Sequence, residues 1–562
     1  MRRRPLVHAP LFSARVLVLA GGTVADVYTG TWIEANVFCA DGRIVYVGPR
    51  EPPPEADVID VRGKLVAPGY VEPHTHPWVL YSPTSLLEAA VPDGTTTLVY
   101  DNLFFFLAHG VDGLRTIVDA LAGAPAHVRW VARLAPQSAY EDEAERFATD
   151  VVAPLLSWPE VVASGEITSW SAIVRGDSRL AAGIAAAKAA RRRVEGHNAG
   201  ASYDRLAELA AAGISSDHEA ITGAEALARL RVGMWTMLRQ SSLRPDLEAI
   251  LREILPVVDS SRRLMLTTDG AAPSFYAERG MIAGALRVAV ANGVAPMRAL
   301  QMATIDPATF LGMDEEIGGV APGRRATLVV LPEVGEWRPE LVLVDGVVAA
   351  RDGRLVAPLP AVPWSSLPAY RLTAPDPSLF APLTGTVPVA RYESAVINRR
   401  ADRDVTELPD RHVHAALVAR DGSWVTKGVI EGLFGDLAGF ATTATTSLEL
   451  LVLGRDPDAM ARAAARVADM GGGFAFDGGW SAPLDIDGLI TSGAFDHAVA
   501  LERELAEQSR AAGYPFHDAL YSLLFASGDF LPELRLTPRG LLDVKSRELL
   551  APALRYDRRA GK

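Results

Sequence analysis

The 562-residue chain has a single cysteine, Cys39, so it has no internal disulfide and no paired thiolates for a cysteine metal cluster. A reducing compartment fits, and a cytoplasmic location is the default expectation. Long hydrophobic runs are also missing; the most apolar segments are strand-sized, and no membrane span is expected. Near the N-terminus, Pro5, His8, Pro10 and Arg15 interrupt the apolar stretch that an export signal following Arg2, Arg3 and Arg4 would need. Positive charge is in deficit. Fifty-five Lys plus Arg face 68 Asp plus Glu, and the formal charge of -13 repels phosphate backbones and anionic lipid. Neither nucleic acid nor a membrane is an expected partner. What is present is ordinary globular composition, 49% hydrophobic and 22% charged, in a length that suits several domains or one large barrel with attachments.

Between Val16 and Val61, short β-branched runs alternate with turn signals such as Gly21-Gly22 and Asp41-Gly42, which predicts a small antiparallel sheet. Similar chemistry returns at Ala326–Val330 and Leu341–Val344, so two separated pieces, 1–65 and 313–360, are expected to build one composite β-sandwich. From 66 to 312, strand runs (Thr95–Tyr100, Val128–Leu134, Arg191–Glu195, Leu264–Thr268) interleave with helical patterns (Leu180–Arg191, Tyr203–Ala212). That rhythm, over roughly 250 residues, predicts an eight-fold β/α (TIM) barrel with its chemistry at the C-terminal ends of the strands. A proline-rich linker at 361–388 leads to an α+β C-terminal domain, 389–562.

The strongest local signal is Val66-Ala67-Pro68-Gly69-Tyr70-Val71-Glu72-Pro73-His74-Thr75-His76, an apolar strand ending in two histidines on one side. Further ligand-type residues end later strand candidates: Glu166, His197, His218 and Asp269. Any one of these could cap a helix or sit in the core. As a set at one barrel rim they can hold two divalent metal ions, with Glu166 bridging. A metal-activated water is then the expected nucleophile, and Asp269 the group that takes its proton and passes one to a leaving nitrogen. Such a site hydrolyses carbon-nitrogen bonds.

At these residues the chain resembles the amidohydrolase superfamily, and within it the adenine deaminase family. The matching segments are Ala67-Pro68-Gly69, Gly94-Thr95-Thr96-Thr97, Gly165-Glu166, Gly196-His197, Ser216-Asp217-His218-Glu219, Thr268-Asp269, Pro322-Gly323-Arg324-Arg325, Met470-Gly471-Gly472-Gly473-Phe474 and Leu536-Thr537-Pro538-Arg539-Gly540-Leu541. The resemblance implies hydrolysis of adenine to hypoxanthine and ammonia, manganese or iron in preference to zinc, and a homodimer or larger homo-oligomer.

Several positions depart from the family pattern. Asp-Pro-His-Glu becomes Asp101-Asn102-Leu103-Phe104, Arg-Glu-Gly-Ser becomes Arg239-Gln240-Ser241-Ser242, and the residues after the metal aspartate read Gly270-Ala271-Ala272. In the C-terminal block, Ala-His-Asp-Ser-His-Asn becomes Ala444-Thr445-Thr446-Ser447-Leu448-Glu449. A more apolar pocket and an altered substrate are expected. Asp101, Phe104 and Arg239 are the candidate substrate-binding residues, weighed against core packing for Phe104-Phe105-Phe106 and an ion pair for Arg239. His412 and His414, with no carboxylate cluster nearby, are expected on a solvated strand face. Three functions stay open: deamination of adenine or a related amino-heterocycle, hydrolysis of a cyclic amide or imide by the same ions, and a non-catalytic binding subunit.

Overall fold

The computed structural model describes residues 16–258 and 261–556, so the arginine-rich stretch read for export lies outside the described residues. Eight parallel strands form the central sheet: Tyr70–Thr75, Thr95–Tyr100, His127–Ala132, Val161–Ile167, Arg193–Gly196, Ser216–Asp217, Trp235–Arg239 and Leu264–Thr267. Helices such as Ser178–Ala189, Tyr203–Ala212 and Gly223–Arg231 return the chain between them, as expected of a β/α barrel. Val71, Val99, Val131, Ala163, Met237 and Met265, each from a different strand, share one apolar cluster with Phe310 and Leu311.

The barrel closes through a parallel bridge between Thr75 and Asp269. Beneath it, the buried Glu72 carboxylate accepts from Thr267 Oγ1 (2.6 Å), Thr268 Oγ1 (2.6 Å), Thr268 N (2.8 Å) and His74 N (3.2 Å). Burial pushes Glu72 up to about 7 against the pull of these donors. The side chain therefore pins the first strand to the eighth.

A second sheet of nine strands joins the two flanking pieces, because Leu65–Pro68 pairs antiparallel with Leu328–Leu331. Leu19, Val37 and Val66 from one piece share a core with Leu328, Val330 and Leu343 from the other. Cys39 lies in that core, and burial pushes its thiol up to about 12, so it is unreactive. Gly21-Gly22 differs from its expectation as a turn. The strand runs through it, Leu17–Asp26, with a register shift between Leu19 and Gly22 that the positive φ of Gly21 permits.

The C-terminal part holds a nine-stranded sheet, packed by helix Pro457–Asp469, and a three-stranded sheet. His412 and His414 sit in the fully buried strand His412–Val418, paired on both edges, so the solvated-face expectation fails. Period-two alternation is uninformative where a strand is covered on both faces. No helix among the described residues is long and apolar enough to cross a membrane.

Glu72→Ala would strand the Thr267 and Thr268 donors and is expected to cost roughly 3 kcal/mol, read as a lowered denaturation midpoint. Equal midpoints for variant and wild type would remove Glu72 from the barrel seam.

Candidate metal centre and active site

All six strand-end candidates converge on the barrel mouth. His76 Nε2 lies 2.9 Å and His74 Nε2 3.3 Å from Asp269 Oδ1. Across the mouth, Glu166 Oε2 lies 2.8 Å from His197 Nδ1 and 3.2 Å from His218 Nε2. The donor atoms fall into two neighbouring groups, one of His74, His76 and Asp269 and one of His197, His218 and Glu219. Glu166 adjoins both, standing within 4.8 Å of His74 and His218 and within the same distance of His76 and Asp101.

Each side chain is brought here by local structure. Asp269 has a positive φ of 55°, a left-handed turn at the end of the eighth strand that aspartate tolerates. Asp217 accepts from the backbone N–H of Asn198 and of Glu219 and from the buried Arg229 guanidinium, holding the His218-Glu219 loop. Gly165 has a packing reason, since a Cβ there would stand 2.6 Å from Arg133 Cδ. Arg133 crosses at that point to donate to Asp101 Oδ2 (2.6 Å) and Glu166 Oε1 (2.5 Å). Gln137 Nε2 donates to the same Glu166 oxygen at 2.6 Å. Oε2 is left to face the two histidines.

The electrostatics follow from crowding carboxylates and imidazoles in a buried space. Burial alone would raise Glu166 and Asp269, but both are held well below the usual carboxylate range, Glu166 chiefly by Arg133 and His197, and Asp269 by His74, His76 and Arg239. Burial would raise Glu219, but Arg239, His197, Arg244 and His218 together bring it down to about 2. Burial would lower His74, yet hydrogen bonds to Asp269 and Glu195 raise it well above its ordinary value. His74 Nδ1 lies 3.1 Å from Glu195 Oε2, which orients the ring with Nε2 toward Asp269.

Against this geometry, the amidohydrolase family profile matches residues 65–356 and the adenine deaminase C-terminal domain profile matches residues 390–548. The chain belongs to the amidohydrolase family. A Halalkalibacterium halodurans protein named "Putative adenine deaminase" is 34% identical over 559 residues, 96% of each chain. The adenine deaminase of Moorella thermoacetica is 31% identical over 559 residues, 94% of each chain. Among solved structures, a D-hydantoinase overlaps 61% of this chain and 96% of its own, with 16% identity and a TM-score of 0.47.

The donors of this amidohydrolase fit divalent ions. His76 Nδ1 and His197 Nε2 are buried without a hydrogen-bond partner. Nitrogen and oxygen donors of this kind suit manganese, iron or zinc.

The candidate substrate residues separate. Arg239 lines the cavity over the mouth and donates to Asp269 Oδ2 at 2.6 Å, with Glu219 Oε1 also at 2.6 Å. Asp101 is held behind Glu166 by Arg133, and Phe104 stacks edge-on against Trp78 with ring centroids 4.2 Å apart. Neither lines the cavity. Sequence reasoning missed four contributors. Glu219 directly follows His218, and Glu195 precedes His197 by one strand repeat, so both carried a local signal. Arg133 and Gln137 follow the third strand without a motif.

A cation that binds only the folded mouth adds about 2.7 kcal/mol at a hundredfold excess over its Kd. Stripping the manganese-loaded protein with a chelator is therefore expected to lower its Tm, and His197→Ala to lose most of that difference. A wild-type Tm indifferent to chelator would count against a metal centre.

Proposed function

We propose that this amidohydrolase removes the exocyclic amine of an amino-heterocycle, with adenine the first substrate to test, using two divalent ions held by His74, His76, Glu166, His197, His218 and Asp269. The observation that carries this reading is the convergence of four imidazoles and two carboxylates, His76 and His197 each with an unpartnered nitrogen, at the mouth of an amidohydrolase barrel. The names of the matched relatives point the same way. Water adds to the ring carbon bearing the amine, that C–N bond breaks, and ammonia leaves a ring carbonyl behind.

Ions bound at this mouth supply Lewis-acid activation of water and substrate. The residues do the rest. Arg239 fixes Asp269 through Oδ2, so the carboxylate keeps one orientation toward the histidine pair. From there it takes the proton of the attacking water and returns one to the departing nitrogen. Arg133 and Gln137 fix Glu166 so that its Oε2 stays with His197 and His218. Trp78 packs against His76, ring centroids 4.6 Å apart, and limits its rotation. Manganese or iron loading and a homodimeric assembly are part of the same proposal, resting on the family resemblance.

A second reading is favoured by the cavity wall. Leu243, Val396, Ile397, Phe525, Phe530 and Leu531 make it largely apolar, which also suits a cyclic amide or imide. A panel of aminopurines, aminopyrimidines and cyclic amides, tested with the manganese-loaded protein, separates the two. Ammonia release supports deamination; ring-opened products without ammonia overturn it. Asp269→Asn, with its metal content measured alongside, is expected to lower kcat at least about a hundredfold. An active Asp269→Asn enzyme would remove the aspartate from proton transfer.

A further inference from the structure

The cavity above the mouth, about 280 Å³, is closed on one side by the C-terminal domain, through Ser394–Ile397 and residues between His517 and Leu531. Most of that wall is hydrocarbon. Alongside Ser394 and His517, Tyr521 on helix Ala519–Leu524 supplies its polar groups. It lines the cavity, and its hydroxyl is buried without a hydrogen-bond partner in the protein. The barrel makes room for it at Gly270, directly after Asp269, where a Cβ would stand 2.7 Å from the Tyr521 oxygen and 3.0 Å from His76 Cδ2. A phenol brought from another domain to the cavity, and left unpartnered there, is destabilising unless something bound in the cavity completes it.

The helix is held for that placement. Asp518 caps it by accepting from Tyr521 N at 3.0 Å, and its other oxygen accepts from Ser242 Oγ at 3.1 Å. Ser242 Oγ also accepts from Ala272 N at 2.9 Å. The loop after the seventh strand therefore ties the turn after Asp269 to the start of the Tyr521 helix. Tyr521 packs at a tilt against Phe525, ring centroids 5.1 Å apart, which limits its ring. Burial raises the phenol well above 10, so it stays protonated and able to donate.

We propose that Tyr521 is a substrate-recognition residue, its hydroxyl donating a hydrogen bond to the ring acceptor atom beside the amine-bearing carbon. The proposal rests on the deaminase reading and deepens it by naming a feature the substrate must carry: a planar, mostly apolar ring with a nitrogen or carbonyl acceptor next to the reacting position. Gln137 offers the complementary group. Its Nε2 is committed to Glu166, and its Oε1 is buried and unpartnered at the same cavity, suited to accept from a ring N–H.

The test is equilibrium binding of purine, which has no amine to lose, and of 1-deazapurine, in which the acceptor is replaced by C–H. Both are titrated into the manganese-loaded full-length protein and its Tyr521→Phe variant. The expected result is about tenfold weaker binding of purine by Tyr521→Phe, with 1-deazapurine bound equally by both proteins and metal content unchanged. A loss shared by both ligands, no loss with either, or no measurable binding of purine by wild type overturns the assignment. Should Tyr521→Phe fail to fold, wild type alone decides: it must prefer purine over 1-deazapurine by about the same factor. Selective loss of purine binding without ammonia release from adenine would overturn the deaminase reading and leave the Tyr521 assignment standing.

Discussion

The seam between the first and eighth barrel strands governs the site. His74 and His76 lie on one side of it and Asp269 on the other, and the bridge that closes the barrel runs through Thr75 and Asp269 themselves. Glu72 sits under that bridge with four donors from both strands, so the same contacts that complete the cylinder set the spacing of three donor side chains. Closure and site assembly are one event. A loosened seam would move Asp269 relative to the histidines, and the proton transfer proposed for it is sensitive to small displacements.

Charge balance is the second constraint. Asp101, Glu166, Glu195 and Glu219 are buried around the mouth with Asp269 partly buried beside them, and Arg133 and Arg239 are the buried guanidiniums set among them. Each arginine joins two carboxylates, which fixes them and removes part of their repulsion. Neighbouring carboxylates raise His74 and His197, and the arginines and imidazoles hold Glu166 and Asp269 low. With the imidazoles neutral, the five carboxylates outnumber the two guanidiniums, and the mouth attracts cations.

Much of this was legible in the sequence where a local pattern carries it. Strand runs separated by helical periodicity gave the barrel, and residues at strand ends share a rim by geometry, so His74, His76, Glu166, His197, His218 and Asp269 could be gathered before any coordinates. The two sheet pieces were readable from turn and strand chemistry at both ends of the barrel. What stayed hidden depends on tertiary packing. Arg133 reaches Glu166 only because Gly165 lets it pass, and nothing in the spacing of the third strand announces this. Phe104 and Asp101 follow a strand that ends at the rim, yet one turns into the core and the other is drawn behind Glu166. Tyr521 and the 394–397 loop come from another domain and meet the mouth only by docking. His412 and His414 misled for a similar reason, since burial on both faces erases the alternation that marks an exposed edge.

The pairing of Leu65–Pro68 with Leu328–Leu331 bears on how the polypeptide is made. During synthesis the early strand emerges about 260 residues before its neighbour, a long-range contact of the kind that forms late. Until then its hydrogen-bonding edge lies open on the nascent chain, beside apolar Leu65 and Val66. Ribosome-bound intermediates of this protein thus carry a sticky margin that lasts until the whole barrel has been translated.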